Sequence, residues 1–318
     1  MNLTHTFKQI KHQAYLVNQQ IKIAQKARAI RRSYEFVSRY SSLNHTFTLP
    51  PLPRVPGIWG IAMVKNEADV IEQAVKHLLD QGLDHIIIVD NGSEDKTVEI
   101  LHDLARTHPI SVGTDNEPAY YQSEKMTWLA DKAKEHGATW IVPFDADEFW
   151  FGTAGSLASA LAVAREPILE ALIYNQFPQP DGSWKVDATP HQEAKICFKP
   201  NRPFVVAMGN HSLIGPGKTG TSKIAILHRP WRSFEQFERK IRQGSAALQL
   251  TDLPEHLGYH WRSLSFASSD ELRQVWSRLI TGEKVEEDIA WKPSGNLIPL
   301  TEPLPSRWEK LPPGISVL

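Results

Sequence analysis

Asp145, Asp147 and Glu148 stand within four consecutive residues, directly after the hydrophobic run Trp140-Ile141-Val142-Pro143-Phe144. Such a run reads as a buried strand, so three carboxylates are delivered where the strand leaves the core. Open α/β sheets bind ligands in the crevice at the carboxyl ends of their strands. Carboxylates clustered there suit a hard divalent cation that in turn holds phosphate oxygens, the coordination favoured by Mg²⁺ and its relatives. A lone Asp-x-Asp also fits a solvated acidic loop. Three further segments, however, bring polar groups to the ends of apolar runs.

The first is Val64-Lys65-Asn66-Glu67. The second, Asp90-Asn91-Gly92-Ser93-Glu94-Asp95-Lys96-Thr97, contains an Asn-Gly turn, with Ser93 or Asp95 placed to cap the helix beyond it. Asp90 precedes that turn at the end of an Ile-Ile-Ile-Val run, where a carboxylate can accept from a nucleobase imide or a ribose hydroxyl. The third is His228-Arg229-Pro230-Trp231-Arg232-Ser233. Neither Gly-x-Gly-x-x-Gly nor Gly-x-x-x-x-Gly-Lys-[Ser/Thr] occurs, which removes two backbone cradles for phosphate. A metal at Asp145 and Asp147 would then carry that neutralisation.

The elements that must position these groups follow from periodicity. Strands are expected over residues 58–64, 85–89, 110–113 and 139–144. Helices are expected over 67–81, 95–107 and 123–136. This alternation predicts an α/β fold, a mostly parallel Rossmann-like sheet with helices on both faces. The pattern is less regular afterwards: a helix over 156–165, strands over 168–174, 194–198, 204–207 and 223–227, and helices over 233–249 and 269–281. Residues 6–40 read as one basic helix, with apolar residues at Ile10, Ala14, Val17, Ile21, Ala24 and Ile30. The predicted organisation is an N-terminal helical extension (1–48), a Pro-rich linker (49–57) and a catalytic domain (58–250). That domain divides into a nucleotide-binding half (58–150) and an acceptor half (151–250), and a C-terminal helical and irregular extension (251–318) follows. The last 28 residues carry six prolines and read as an irregular wrap.

A chain of 318 residues is long enough to bury a sizeable core. Its formal net charge of −1 gives no global attraction to nucleic acid, and none is expected as a partner. The balance is uneven: residues 1–45 carry +7 and the remainder −8. The basic helix is therefore expected to dock on its own domain, on a protein partner or on anionic lipid. Cys197 is the only cysteine, which excludes an intrachain disulfide and a cysteine-rich zinc site. The N-terminus lacks the apolar centre of a signal peptide, and no segment approaches the roughly 18 apolar residues of a membrane span. A cytoplasmic location follows as the expectation, with peripheral contact at the inner face of a membrane as the variant.

The segment from Val64 to Thr97 (VKNEADVIEQAVKHLLDQGLDHIIIVDNGSEDKT), with FDADEFW some 50 residues on, resembles the family 2-like glycosyltransferases of GT-A fold. It is similar in particular to the branch sharing a K-N-E, D-N-x-S-x-D and D-x-D-E-F pattern with the family 92 enzymes. The likeness continues through KICFKP (195–200), Gly209-Asn210-His211 and Ile226-Leu227-His228-Arg229, and covers about residues 58–245. It implies a metal-dependent, inverting transferase that moves a sugar from a nucleotide-diphosphate donor, a UDP-sugar foremost, to a glycan or other hydroxyl acceptor. It implies that Glu67 and Asp90 line the nucleotide pocket, Asp90 on the base, and that Asp145 faces the ribose or the metal. Asp147 would bind Mn²⁺ or Mg²⁺, with His228 completing the coordination; imidazole favours manganese. Arg229, Arg232 and Lys240 would reach the diphosphate, and Lys125 the nucleotide.

Breaking the anomeric carbon–phosphate bond builds negative charge on the diphosphate, which a metal and cations stabilise. An Asp, Glu or His must take the acceptor's proton. His211, Asp181 and Glu193 are the candidates; none has a decisive signature, and His211, in Gly-Asn-His, is the favoured one. Trp150, Phe151, Trp184 and Trp231 are placed to stack on sugars. Trp59, Trp128 and Trp140 read as core, and Trp261, Trp276, Trp291 and Trp308 as braces of the C-terminal half. Three alternatives use the same residues less well. A Mg²⁺-dependent Asp-x-Asp phosphatase wants Thr or Val where Phe149 stands. A sugar-nucleotide pyrophosphorylase wants a Gly-rich loop that is absent. A silent nucleotide-sugar or glycan-binding protein would not need Asp90, Asp145, Asp147 and His228 all intact.

Overall fold

Trp59 and Ile61 belong to one apolar layer, Ala62 and Val64 to another; Ile87 and Val89 join the first, Ile86 and Ile88 the second. Residues that alternate between two buried layers make a strand covered on both faces. The fold grows from this pattern. The computed structural model describes residues 3–200, 203–252, 254, 258, 262–312 and 315. The extreme ends of both expected extensions, and Trp261, lie outside the described residues.

The chain begins with α1 (Leu3–Ile30), α2 (Tyr34–Thr46) and the short β1 (Phe47–Thr48). An alternating unit follows: β2 (Gly57–Val64), α3 (Ile71–Asp80), β3 (His85–Asp90), α4 (Thr97–Ala105), β4 (Ile110–Asp115), α5 (Gln122–Glu135) and β5 (Ala138–Pro143). Next come β6 (Glu148–Gly152), α6 (Leu157–Ala162), β7 (Ile168–Pro178), β8 (Trp184–Asp187) and β9 (Lys195–Phe198). The remainder comprises β10 (Val205–Val206), β11 (Leu213–Ile214), β12 (Thr219–His228), α7 (Phe234–Gln249), α8 (Ser269–Thr281) and β13 (Leu297–Pro299).

The main sheet runs β1-β4-β3-β2-β5-β9-β7-β12-β6, with β8 joined to β7 and β13 to β8. Strands β4, β3, β2 and β5 are mutually parallel. The antiparallel strand β9 separates β5 from β7, so two reversals return β7 to the direction of β5, and β12 is parallel to β7. Strands β2, β3, β5 and β12 therefore all end on one edge of the sheet. Val64, Asp90, the Asp145–Glu148 loop and His228 meet there, as the expected mixed α/β architecture requires.

Three departures from expectation bear on the site. Strand β6 was not expected, because Glu148 at its start masks the apolar run Phe149-Trp150-Phe151; all five of its residues are buried, and it pairs antiparallel with β12, placing Glu148 opposite His228. The helix expected over 6–40 divides at Arg31-Arg32-Ser33. Ser33 accepts from the Phe36 amide to cap α2, while Arg31 turns inward to Asp131 and the Phe204 carbonyl. The Pro-rich stretch is packed rather than free: Val55 donates to the His136 carbonyl and accepts from the Trp59 indole, and β1 adds an antiparallel edge strand to β4. The C-terminal residues are likewise tied in. Strand β13 pairs with β8, and Trp308 packs on Phe151 and Tyr174.

His77 lies beneath β6, its Nε2 2.7 Å from the Trp150 carbonyl, and burial pushes its pKa down to about 4. The unfolded chain binds that proton near the ordinary value of 6.5, so the native state loses stability as pH falls from about 6.5 to about 4. The loss from this group is on the order of 3 kcal/mol. Denaturant unfolding measured across that window should show a shallower pH slope in His77→Gln than in the wild type.

Candidate active site

The Lys65-Asn66-Glu67 and Asn91–Asp95 loops follow adjacent parallel strands, and their side chains stitch them together. Asp90 accepts from the Ser93 amide at 2.9 Å and from its hydroxyl; Ser93 Oγ accepts from the Asn66 amide at 2.8 Å; Asn66 Oδ1 accepts from the Glu94 amide at 2.7 Å. Asn66 has φ of 56°, a left-handed conformation tolerated by Asn, which aims its side chain across the gap. The clamp positions Glu67, whose amide donates to Thr97 Oγ1 at 2.8 Å.

The acidic turn is divided between two sets of cations. Glu148 donates its amide to the Asp145 carbonyl, closing the turn, and is fully buried. The buried ammonium of Lys195, on β9, lies 2.6 Å from Asp145 and 2.9 Å from Glu148. Burial raises the Glu148 carboxyl to about 7, against the pull of Lys195. Burial alone would lower Lys195, but the two carboxylates hold it above its ordinary value. Asp147 points the other way. Its side chain is 3% exposed, with Lys240 of α7 at 2.5 Å and Arg232 at 3.5 Å on Oδ2. Burial would raise this carboxyl, yet Lys240, the His228 ring and Arg232 hold it well below the usual range. Arg232 also pairs with Glu67 and, at 2.6 Å, with Asp69.

His228 lies opposite Asn175 of β7, and its Nδ1 is 2.9 Å from Asn175 Oδ1. An amide oxygen can only accept, so Nδ1 carries the proton and Nε2 presents its lone pair 3.6 Å from Asp147 Oδ1. Burial keeps the ring's pKa below its ordinary value despite Asp147. A neutral imidazole nitrogen beside an ionised carboxylate is a donor pair suited to Mn²⁺ or Mg²⁺. Among the described residues no three His, Cys, Asp or Glu side chains form a ready cage.

These groups open onto a cavity of about 710 Å³. Met63, Val64, Lys65, Glu67 and Asn91 line it together with Asp145, Asp147, Lys195, His228 and Lys240. His191, Glu193, Met208, Gly209, His211 and Ile289–Lys292 complete its lining. His211 Nδ1 is 2.9 Å from the Ala194 carbonyl, leaving Nε2 free to accept, 3.4 Å from Glu193. Gly209 is necessary here. Its φ is 79°, and a Cβ would fall 2.3 Å from the His211 ring.

Of the expected site residues, Glu67, Asp145, Asp147, Glu193, His211 and His228 line the cavity. Asp90, Lys125, Asp181, Arg229 and Arg232 do not. Both Asp90 oxygens accept from Ser93, whereas the neighbouring Asn91 lines the cavity, its amide donating to the Asp115 and Glu117 carbonyls at 3.1 and 2.8 Å. Lys125 is buried, 2.7 Å from Asp115 and 2.6 Å from the Glu117 carbonyl, and holds the loop that carries Tyr120 to the cavity. Asp181 caps a remote turn by accepting from the Ser183 amide. Arg229 donates to Gln176, Gln73 and the Pro303 carbonyl beneath β6. Arg232 reaches the site only through Asp147 and Glu67. Of the stacking candidates, Trp150, Phe151 and Trp231 are core residues, and Trp184 stacks on Arg229.

Two residues were not anticipated. Lys195 could have been suspected as a lysine inside an otherwise apolar strand, KICF, since lysine is rarely fully buried unpaired. Trp291, expected as a brace, is a cavity wall: its ring lies 4.6 Å from His228 and 4.5 Å from His191. Its φ of 59° is unusual for an aromatic residue, the kind of backbone strain found at ligand clamps.

Residues 61–189 match the family model "Glycosyl transferase family 2", a span from β2 to just beyond β8 that includes both clamped loops and the acidic turn. No curated protein sequence matches the chain. Among solved structures, S. aureus TarS 1-349 is similar over 71% of this chain and 79% of its own, with 13% identity and a TM-score of 0.38. The same protein in complex with UDP gives 14% identity and 0.37 over the same shares. Glucosyl-3-phosphoglycerate synthase from Mycobacterium tuberculosis, in complex with Mn²⁺, UDP and glucosyl-3-phosphoglycerate, covers 37% of this chain and 44% of its own, with 17% identity and a TM-score of 0.26.

Proposed function

We propose that this chain is a metal-dependent, inverting glycosyltransferase of GT-A type that moves a sugar from a nucleoside-diphosphate donor to a hydroxyl acceptor. The observation that carries the reading is Asp147: a buried, ionised carboxylate at the common strand edge, beside the free nitrogen of an oriented His228. The family match over β2 to β8 supports it. Asp147 and His228 would hold Mn²⁺ or Mg²⁺, which when bound supplies Lewis-acid stabilisation of the departing diphosphate. Lys240 and Lys65 face the same space and would add positive charge along the phosphates. Asn91 and Glu67 lie at the nucleoside end, and Trp291 offers a flat apolar wall to a sugar ring.

For the proton, the geometry favours His211 over Asp181 and Glu193. Its Nδ1–H is held by a carbonyl, and Nε2 faces the cavity as an acceptor, the arrangement of a general base. Glu193, 3.4 Å from Nε2, would stabilise the proton once the ring has taken it, and the Ala194 carbonyl on Nδ1 orients the ring; Asp181 is remote. Burial and Lys195 keep His211 below its ordinary pKa of 6.5, so the neutral, accepting form persists at pH 7. Turnover should fall on the acid side, below about pH 6.5. In His211→Gln we expect kcat to drop by about two to three orders of magnitude and this acid limb to vanish, as read from a pH–rate profile.

The reading is tested by incubating the protein and Mn²⁺ with a panel of UDP-, GDP- and CDP-sugars and measuring released nucleoside diphosphate. One donor should be hydrolysed slowly without an acceptor, and chelation should stop it. Release from none, with or without added glycans, would reject the proposal.

A further inference from the structure

Asp147 is held by two cations that differ in how firmly each is placed. Arg232 lies 3.5 Å from Oδ2, pairs with Glu67 and Asp69, and donates to the Arg229 carbonyl at 3.3 Å. Its side chain is only 7% exposed. Lys240 is 2.5 Å from the same oxygen, and among the described residues Asp147 is its one hydrogen-bonding partner. Its side chain is 25% exposed. The helix that carries it explains the difference. Lys240, Gln243, Gly244, Ala247 and Leu248 of α7 all line the cavity, at the i, i+3, i+4, i+7 and i+8 spacing of one helical face. Lys240 therefore reaches Asp147 from the cavity side on a flexible four-carbon stem, whereas Arg232 does not line the cavity.

The charge balance follows from these contacts. The carboxylate best suited to hold a divalent cation already has an ammonium on Oδ2. His228, 3.6 Å from Oδ1, is neutral and does not offset that ammonium. A cation brought to this corner by itself would stand near both a guanidinium and an ammonium. Like charges a few ångströms apart repel strongly where burial lowers the effective dielectric. A diphosphate changes the balance, because it offers Lys240 other anionic oxygens on the cavity side. Turning the stem toward them takes the ammonium off Asp147 without moving the helix. Arg232 cannot make that exchange, since Glu67 and Asp69 keep it in place.

We propose that Lys240 makes divalent-cation binding at Asp147 and His228 conditional on the diphosphate, holding the carboxylate until phosphate oxygens draw the ammonium away. This rests on the transferase reading above and adds to it a coupling between two ligands. The cation alone binds weakly, the cation and a nucleoside diphosphate bind well together, and each tightens the other by the same factor. A corner built in this way does not load cation until the donor is present.

Electron paramagnetic resonance of Mn²⁺ titrated into the full chain measures the affinity for the cation alone. Lys240→Met should bind Mn²⁺ about tenfold more tightly than the wild type, because one positive charge beside the site is gone. Lys240→Arg, which keeps the charge, should match the wild type. Calorimetry then gives the affinities for UDP, GDP and CDP with and without Mn²⁺. The factor by which Mn²⁺ tightens the bound diphosphate should fall about tenfold in Lys240→Met and persist in Lys240→Arg. Adding Asp147→Asn to Lys240→Met should abolish the tight Mn²⁺ binding, which assigns it to this corner. Urea unfolding of each variant separates a folding defect from a change in affinity, and Lys240→Gln repeats the measurement if the Met variant is unstable. Mn²⁺ binding unchanged or weakened in Lys240→Met, with the diphosphate still bound, would overturn the inference and leave the transferase reading standing. Tight Mn²⁺ binding that survives Asp147→Asn would overturn it likewise. Failure of all three diphosphates to bind the wild type would defeat the transferase reading and this inference with it.

Discussion

Asp147→Asn should lower donor turnover by about a thousandfold while leaving the cavity's shape intact. The change removes one negative charge and no volume. An amide is a poor ligand for a hard cation, and loss of metal-based stabilisation of a departing diphosphate is worth several kcal/mol of barrier, or about three powers of ten in rate. The substitution also acts on the fold. Lys240, Arg232 and His228 all lean on this carboxylate. Arg232 retains Glu67 and Asp69, whereas Lys240 loses its close partner. A modest loss of unfolding free energy, about 1–3 kcal/mol, should accompany the loss of rate. Steady-state kinetics and urea unfolding on one preparation separate the two effects, and near-normal turnover in Asp147→Asn would remove the acidic turn from the chemistry.

The largest effect on stability is expected from Lys195→Met. The substitution leaves Glu148, fully buried, and Asp145 without their shared cation, and breaking a buried pair in this way typically costs about 3–5 kcal/mol. The pH dependence has a definite sign. Burial raises the Glu148 carboxyl to about 7 in the wild type, and without Lys195 it rises further, so the buried acid is tolerated when protonated and penalised when ionised. The deficit of Lys195→Met should therefore be smaller near pH 5 than near pH 8. Adding Glu148→Gln, which cannot ionise, should restore part of the stability at pH 8 and flatten the pH dependence. An equal deficit at both pH values would mean that lost packing, not stranded charge, dominates. Lys195 thus acts first as a structural counter-ion that holds Asp145 at the cavity edge.

What could be read in the sequence was whatever has a local signature. Apolar runs ending in polar residues identified β2, β3, β5 and β12; parallel connectivity placed the ends of the first three together, and the family resemblance added His228. Asp145, Asp147 and His228 consequently lie where they were expected, 81 residues apart in the chain between the last two. The expected site residues that do not line the cavity share a physical trait. Asp90, Lys125, Arg229 and Arg232 are polar residues near strand ends or on a site-facing helix, the right neighbourhood for ligand contacts. The fold uses their hydrogen-bonding capacity internally, and nothing in residue type distinguishes a side chain that serves a loop from one that serves a ligand. Lys195 and Trp291 illustrate the reverse. Their importance comes from partners 47 and 63 residues away, Glu148 and His228, and no short motif records such pairings. The missed β6 is a simpler case, an apolar strand hidden by the buried Glu148 that opens it.

The central claim is that the Asp147–His228 corner binds a nucleoside diphosphate through a divalent cation. Calorimetric titration of UDP, GDP and CDP into the protein, with Mn²⁺ and with chelator, addresses it directly. The account predicts that one of the three binds, that chelator weakens the binding at least tenfold, and that Asp147→Asn abolishes the metal-dependent part. Absence of binding by all three, or binding that neither chelator nor Asp147→Asn alters, would contradict it.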